Sequence, residues 1–546
     1  MPNTTLRCLS TPAASTLCAL FALCAPPAAL ATGTWTAVVQ PASNPSAGGM
    51  VLLSDGSAFC LVDQNNDQVG DRWLRLVPDA NGSYVNGTWS STAPMINTRL
   101  YFSSQVLRDG RLYVAGGEYG SGLAAGEVYN PLTNTWTATP SPGGNVSDAN
   151  SEILPDGRVL QALVTGNLRQ TKIYDPATNT FSNGPTCLGI HNESTWIKLP
   201  DNSILFVDRL STNSERYIPA SNSWVADGTV PVSLYDPFGL ETGGAVRLPD
   251  GRAFFIGSPN TCAFYTPSGT VAPGVWTAGP AMPAGLGQPD APVAMMVNGK
   301  VLCAMSPQPT SGQHFPAPTT FWEFNPATNA FTSLPAPGGG ASINESCFVF
   351  CFLCLPNGGV LCSMQGSSTF WVYTPDGQPV QQGAPAITGI LSTGARQFLV
   401  TGTGFNGISQ GANYGDDWQM NTNYPVIRLT NSTTGQVYYG RTSNWNLTGV
   451  ATGATLTSTT LTVPASVPNG AYSMVVTANG IASQPAALGV SAASCPEDLN
   501  ANGVVDGTDL GLLLANWALP GLGDLNNDGA VDGTDLGLLL SGWGPC

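Results

Sequence analysis

Val106-Leu107-Arg108-Asp109-Gly110-Arg111-Leu112-Tyr113-Val114-Ala115-Gly116-Gly117 sets two apolar runs on either side of an Asp-Gly pair. Asp and Gly tolerate the positive φ of a two-residue turn, so the stretch reads as a β-hairpin. Further on, Tyr129-Asn130-Pro131 ends another strand, because proline cannot donate to a ladder, and Trp136 lies in the strand that follows. Two hairpins make one four-stranded sheet. The unit returns with a period of about fifty residues. Its turns are Asp55-Gly56, Asp109-Gly110, Asp156-Gly157, Asp201-Asn202, Asp250-Gly251, Asn298-Gly299 and Asn357-Gly358. Tyr129, Tyr174, Tyr217, Tyr265, Phe324 and Tyr373 each stand two residues before a proline, with Leu76 in that place in the first copy. The last strand of a copy carries Trp89, Trp136, Phe181, Trp224, Trp276 or Phe331.

The seventh copy runs past Pro375 without that last strand. Thr34-Trp35-Thr36-Ala37 repeats the string Thr135-Trp136-Thr137-Ala138 and is expected to supply it, closing a seven-bladed propeller over 32–384. The repeat resembles Kelch repeats, and the copy with Gly116-Gly117 comes nearest to their double-glycine consensus. An aromatic side chain at a fixed place in every copy packs between sheets, so the repeat specifies architecture rather than chemistry.

Charged residues are 10% of the 546 and hydrophobic residues 42%, with 64 Gly and 44 Pro, a composition that excludes coiled coil and disorder. With 18 Lys and Arg against 34 Asp and Glu, the net charge is −16, so nucleic acid is not an expected partner. Residues 1–31 place Arg7 before an apolar run and end on Ala29-Leu30-Ala31, the pattern of a signal peptide, which predicts a secreted, extracellular protein. No later stretch has the roughly 18 consecutive apolar residues of a membrane span. Ten of the 13 cysteines lie beyond the leader, where an oxidising compartment favours disulfides. Cys495 and Cys546 bracket the last segment and are the one pairing the sequence suggests. Cys347, Cys351, Cys354 and Cys362 lack the paired short spacings of a zinc site and read as disulfides or buried thiols.

Between 385 and 493 the pattern changes to alternating strands such as Gln397-Phe398-Leu399-Val400-Thr401 and Val426-Ile427-Arg428-Leu429, as in an Ig-like β-sandwich. A propeller followed by such a sandwich resembles the galactose-oxidase-like architecture. Gly402-Thr403-Gly404-Phe405-Asn406-Gly407, with Asn479-Gly480, looks like its early-set immunoglobulin domain. That resemblance implies a copper-radical site built from a Tyr-His pair, a second tyrosine, a histidine of the last domain and a cysteine. The only histidines are His191 and His314, neither follows a tyrosine, and neither lies in the sandwich, so the copper site is not expected. His191 reads more simply as a hydrogen-bonded structural residue. Gly407-Ile408-Ser409-Gln410-Gly411 fits a nucleophile-elbow string, but no helical pattern follows it, and it is taken as chance.

Residues 495–546 contain two acidic loops 26 residues apart. The first offers Asp498, Asn500, Asn502, Asp506 and Asp509, with the carbonyl of Val504; the second offers Asp524, Asn526, Asp528, Asp532 and Asp535, with the carbonyl of Ala530. Oxygen donors in this register, with Gly503 and Gly529 at the sharp turn, suit a hard cation, so two calcium ions are expected. Leu510, Leu513, Leu514, Trp517 and Leu536, Leu539, Leu540, Trp543 follow at i, i+3, i+4, i+7, one apolar stripe per small α-helix, by which the two helices would pack. Asp in the last loop place and the absence of a helix before each loop resemble a dockerin. That resemblance implies a cohesin-like protein or cell-surface scaffold as partner, with Gly507-Thr508 and Gly533-Thr534 choosing it.

The chain is thus expected to be mostly β, with a small helical calcium module. The first functional reading is a secreted, non-catalytic binding protein whose propeller and sandwich engage an extracellular ligand, a polysaccharide being the class suggested. The alternatives are a carbohydrate-active hydrolase or lyase at the propeller's central mouth, a divergent oxidase, or a structural surface-layer component.

Overall fold

In the computed structural model, residues 33–41, 46–63, 69–412, 423–491 and 495–546 are described. The leader expected over 1–31 lies outside them. The Asp-Gly turns fold differently from the two-residue hairpin that the sequence suggests. Gly110 N–H donates to Leu107 C=O at 2.8 Å and Leu107 N–H to Arg111 C=O at 2.8 Å, while only Gly110 takes a positive φ, of 80°. This is a β-turn closed by a glycine bulge. The acidic residue is there for its side chain: Asp109 Oδ1 accepts the Arg111 N–H at 3.0 Å. Asp55, Asp156, Asp201, Asp250, Asn298 and Asn357 each accept in the same way from the residue two places on. Where Asn202 replaces the glycine it still adopts a φ of 64°, a conformation that asparagine tolerates.

Each turn joins the first two strands of a sheet, and seven such sheets make the propeller. One blade is Ser103–Val106, Leu112–Ala115, Gly126–Asn130 and Thr135–Ala138. In the last blade Thr34–Ala37 pairs with Trp371–Thr374, placing Trp35 opposite Tyr373. The repeated aromatics fill the spaces between blades, with Phe59 stacked on Tyr129 at 4.9 Å and Tyr113 on Tyr174 at 4.9 Å. Outer-strand indoles reach the preceding blade or its exit: Trp35 Nε1 donates to Pro335 C=O and Trp136 Nε1 to Ala93 C=O, both at 2.9 Å. Tyr129, Tyr174 and Tyr217 donate their hydroxyls to Asn134, Asn179 and Asn222 in the second turn of the blade.

Cys60, Cys187, Cys262, Cys303, Cys347 and Cys362 are buried thiols outside any disulfide, which corrects the expectation that an oxidising compartment favours disulfides and, for Cys347 and Cys362, takes up the buried-thiol alternative. Strand alternation is the reason: on Phe350–Cys354, Cys351 enters one inter-blade core while Cys354 faces the next, with Cys347 and Cys362. Burial pushes the Cys347 and Cys354 thiols up to about 12. Cys495 and Cys546 do form a disulfide, with Cα atoms 5.9 Å apart.

The sandwich strands Ala386–Gly394, Gln397–Thr403, Leu456–Thr462, Val437–Ser443, Val426–Asn431 and Gly470–Ala478 follow one hydrogen-bonded path, nearly a closed barrel around Phe398, Val400, Leu429, Leu461 and Met474. This domain sits on the Asp-Gly turn face of the propeller. Arg441 donates to Asp109 C=O, Tyr424 to Leu52 C=O, and Arg108 Nε to Trp445 C=O at 2.6 Å. Gln410–Ala412 continues onto the inner strand Ala245–Arg247, with Arg247 N–H to Gln410 C=O and Ala412 N–H to Ala245 C=O at 2.8 Å. Beside it lies a buried Lys198–Glu152 ion pair of 2.9 Å.

Two short helices close the chain, α1 (Gly507–Ala515) and α2 (Gly533–Ser541). Each starts on a capping box, Asp506 with Asp509 and Asp532 with Asp535. Their apolar stripes only partly meet. Leu513 and Leu539 are fully buried, whereas Leu514 and Leu540 are each 50% exposed, and Trp517 and Trp543 are 43% and 50% exposed. Both helices end before the i+7 place, so the tryptophans leave the helical face, and the shared core is too narrow to cover the second leucine.

Candidate functional site

The end of the propeller away from the sandwich opens into a cavity of about 630 Å³. Five carboxylates line it, those of Glu118, Asp148, Glu193, Glu241 and Asp290, together with the rings of Tyr101, Tyr119, Phe315 and Phe348. Their placement follows from the blade. Tyr101, Asp148, Glu193 and Asp290 precede by two or three residues the inner strands that begin at Ser103, Ser151, Thr195 and Val293, and all four have φ between 44° and 53°. A left-handed residue turns the chain sharply as it enters the inner strand. For a non-glycine residue this costs about 1 kcal/mol or more, which the surrounding blades must offset.

Electrostatics separate these acids. Burial above all raises the Glu118 carboxyl, the charge of Glu193 adds to this, and a hydrogen bond from Tyr119 opposes it. Glu193 is raised by burial too, against the pull of Arg209, with which it forms an ion pair. Arg209 also donates to Leu240 C=O at 3.4 Å, so Glu193 is held in one orientation. The Tyr101 and Tyr119 rings meet edge to face at 6.1 Å, and Phe315 and Phe348 lie 4.9 Å apart. Two carboxyls of raised affinity for protons beside aromatic faces can do proton-transfer chemistry on a polar, ring-shaped ligand. Sequence reasoning did not single out any of these residues. The one signal available was position, just before each inner strand, and the residue types there differ from blade to blade.

The residues singled out in the sequence lie elsewhere. His191 is fully buried, stacked on Phe206 at 3.8 Å. Its Nδ1 accepts the Trp196 indole N–H at 2.9 Å, which leaves Nε2–H to donate to Glu215 at 2.8 Å. Burial lowers its pKa. Burial would raise Glu215, but the His191 ring and the N–H groups of Leu188 and Gly189 hold it below the usual range. With both nitrogens engaged, His191 is a core residue. His314 is half-buried beside Gly239. Among the described residues no three His, Cys, Asp or Glu side chains are grouped to hold a metal ion, and the donor set of a copper-radical site is not assembled. Ser409 is fully buried and donates to Arg247 C=O at 2.7 Å.

The two tail loops fold alike. Asp498 accepts from the N–H groups of Asn502 and Gly503, and Asp524 from those of Asp528 and Gly529. Asp509 bonds the N–H groups of Asn500 and Asp506, and Asp535 those of Asn526 and Asp532. These backbone donors hold the Asp535 carboxyl down, whereas burial raises that of Asp498. The sequence register adds Asn500, Asn502 and Asp506 to the first loop's oxygen donors and Asn526, Asp528 and Asp532 to the second's, with the Val504 and Ala530 carbonyls. Carboxylate, amide and carbonyl oxygens are hard donors, the ligand class that calcium takes. Gly507, Thr508, Gly533 and Thr534 are exposed at the helix starts.

The Kelch motif matches residues 106–143. A search of curated proteins finds no match. Among solved structures, the chain is similar to a fungal alcohol oxidase of the AA5 family in complex with copper, at 13% identity and a TM-score of 0.50, covering 84% of this chain and 99% of that one. The structure of YjhT is also similar, at 13% identity and a TM-score of 0.39, covering 54% of this chain and 99% of the other. At such identities the likeness to the oxidase is one of fold: a propeller with a C-terminal β-domain.

Proposed function

We propose that the chain is a secreted carbohydrate-active enzyme that works at the open mouth of the propeller by acid–base chemistry between carboxyl groups. The observation that carries this reading is the pairing of Glu118 with Glu193 in one aromatic-lined cavity. Glu118, whose hold on its proton is strengthened by partial burial and by the charge of Glu193, gives that proton to the leaving oxygen of a glycosidic bond. Glu193, oriented by Arg209, takes a proton from the water whose oxygen bonds to the anomeric carbon as the glycosidic bond breaks. Phe315 and Phe348 offer faces on which a sugar ring can rest. The acid lining disfavours uronate polymers and therefore an eliminating lyase; neutral or amino sugars suit it better.

The tail is proposed as the anchor. Two calcium ions in the loops would fix α1 and α2, and the exposed Leu514, Trp517, Leu540 and Trp543 near Gly507-Thr508 and Gly533-Thr534 offer twin faces to a cohesin-like partner. A screen of neutral and amino-sugar polysaccharides for new reducing ends, with Glu118→Gln and Glu193→Gln as controls, tests the enzyme. Binding to a glycan with no product, unaffected by either variant, would favour the non-catalytic reading instead.

A further inference from the structure

The two tail loops are near-duplicates in sequence but not in surroundings. Gly489, in the last sandwich strand Ala486–Val490, meets the first loop backbone to backbone. Its N–H donates to Ala501 C=O at 2.8 Å, and a Cβ on Gly489 would fall inside the van der Waals shell of the Gly503 backbone. Ala501 is 1% exposed and belongs to the sandwich's own apolar core with Leu488 and Val490. Cys546 N–H donates to Gly503 C=O at 3.0 Å, so the disulfide-bonded end of the chain is tied to the same point. The second loop has no such seat: Asn526, Asn527, Asp528 and Gly529 are exposed, and a Cβ on Gly529 would meet nothing within 4 Å.

We propose that the first loop is the seat that fixes the tail module on the sandwich, so that cation binding in this loop and docking of the tail are one coupled equilibrium, while the second loop binds its ion independently. This rests on the reading of both loops as calcium sites. The coupling runs through Asp498, whose carboxylate takes the N–H of Gly503, the residue that faces Gly489. Whatever orders the Asp498 end of the loop orders the surface that meets the sandwich. By linkage the effect is reciprocal, and seating of Gly503 tightens the first site by the same factor. The anchor would then be held in a fixed direction when calcium is present and released when it is withdrawn.

Gly489→Ala in the full chain separates the two terms, because it adds one methyl at the contact and alters no loop residue. Calcium calorimetry should resolve two sites in the wild type, and the variant should lose about tenfold in affinity at one of them only. Hydrogen exchange over Ala486–Val490 should speed up in the wild type when calcium is chelated. Asp498→Asn should reproduce that loss of protection with calcium present, whereas Asp524→Asn should not. Unchanged affinities in Gly489→Ala, or equal loss of protection in the two Asp variants, would overturn the coupling while leaving the calcium sites standing. Absence of any calcium binding in the wild type would overturn the site reading itself, and the coupling with it.

Discussion

His191→Phe tests whether the histidine beside Glu215 is scaffold or chemistry. Phenylalanine keeps the stack on Phe206 but deprives the Trp196 indole N–H of its acceptor and Glu215 of one donor. An unsatisfied buried donor costs about 1–3 kcal/mol and a lost hydrogen bond to a charged group about 1.5–3, so blade four should lose about 3–5 kcal/mol. Glu215 keeps the N–H groups of Leu188 and Gly189, which limits the damage. The pH dependence is a second signature. Burial holds the folded His191 pKa below its ordinary 6.5, so below about that pH the unfolded chain binds the extra proton first. Stability then falls by about 1.4 kcal/mol for each pH unit, until the lowered folded value is reached. Phenylalanine has no such proton, so this limb should vanish in the variant, while the loss caused by Glu215 at lower pH remains. Urea unfolding at pH 7.5 and 5.5, followed by tryptophan fluorescence, reads both effects, because Trp196 and Trp224 flank the ring at 5.4 and 4.6 Å. A variant as stable as the wild type that had lost a bound metal or an activity would refute the structural assignment.

If Glu118 is the proton donor at the mouth, activity should fall as pH rises through its raised pKa, and Glu118→Gln should abolish turnover while leaving thermal unfolding unchanged. Trp35→Ala removes a half-buried ring packed on Tyr373 at 4.8 Å together with its hydrogen bond to Pro335. The ring closure should weaken by about 2–3 kcal/mol, seen as earlier proteolytic release of the N-terminal strand. Chelation should unfold α1 and α2, because the clustered carboxylates repel one another without a cation; protease resistance of the tail that is indifferent to EDTA would count against calcium.

The blades were legible because their signals are local. An Asx side chain bonding its own turn, a glycine or asparagine at the bulge, and a tyrosine two residues before a proline all act within a few residues and recur in register. The turn type itself was misread, since Asp-Gly alone does not distinguish a two-residue hairpin from a turn with a bulge; that depends on the pairing of Leu107 with Arg111. The fate of the cysteines was not legible either, because pairing depends on which strand face each one occupies. The mouth was invisible for a deeper reason. Glu118 and Glu193 lie far apart in sequence and come to one cavity only once the ring has closed, and the Kelch match over residues 106–143 that contains Glu118 marks a blade rather than a site. The tail helices were read from their leucines, but the exposure of Leu514 and Leu540 depends on how little core two nine-residue helices can share.

The two ends of the propeller divide repetition from variation, and that division argues for where the chemistry lies. At the turn end every blade presents the same Asx turn and bulge, and the sandwich rests on them. A Cβ on Gly56 would strike Tyr439, one on Gly110 would strike Arg441, and one on Gly480 of the sandwich would strike Gly358 and Val297. Those glycines therefore serve twice, for their positive φ and for close approach of the second domain. At the mouth the backbone also repeats, with the same left-handed residue ahead of the inner strand in several blades, but the side chain is Tyr101 in one, Asp148 in the next, then Glu193 and Asp290. A fold that needed only to close would fill such positions with glycine or asparagine, which tolerate that conformation best. Holding a tyrosine and a glutamate there, around a cavity with Glu118, is intelligible if the side chains, rather than the turn, are what the mouth requires.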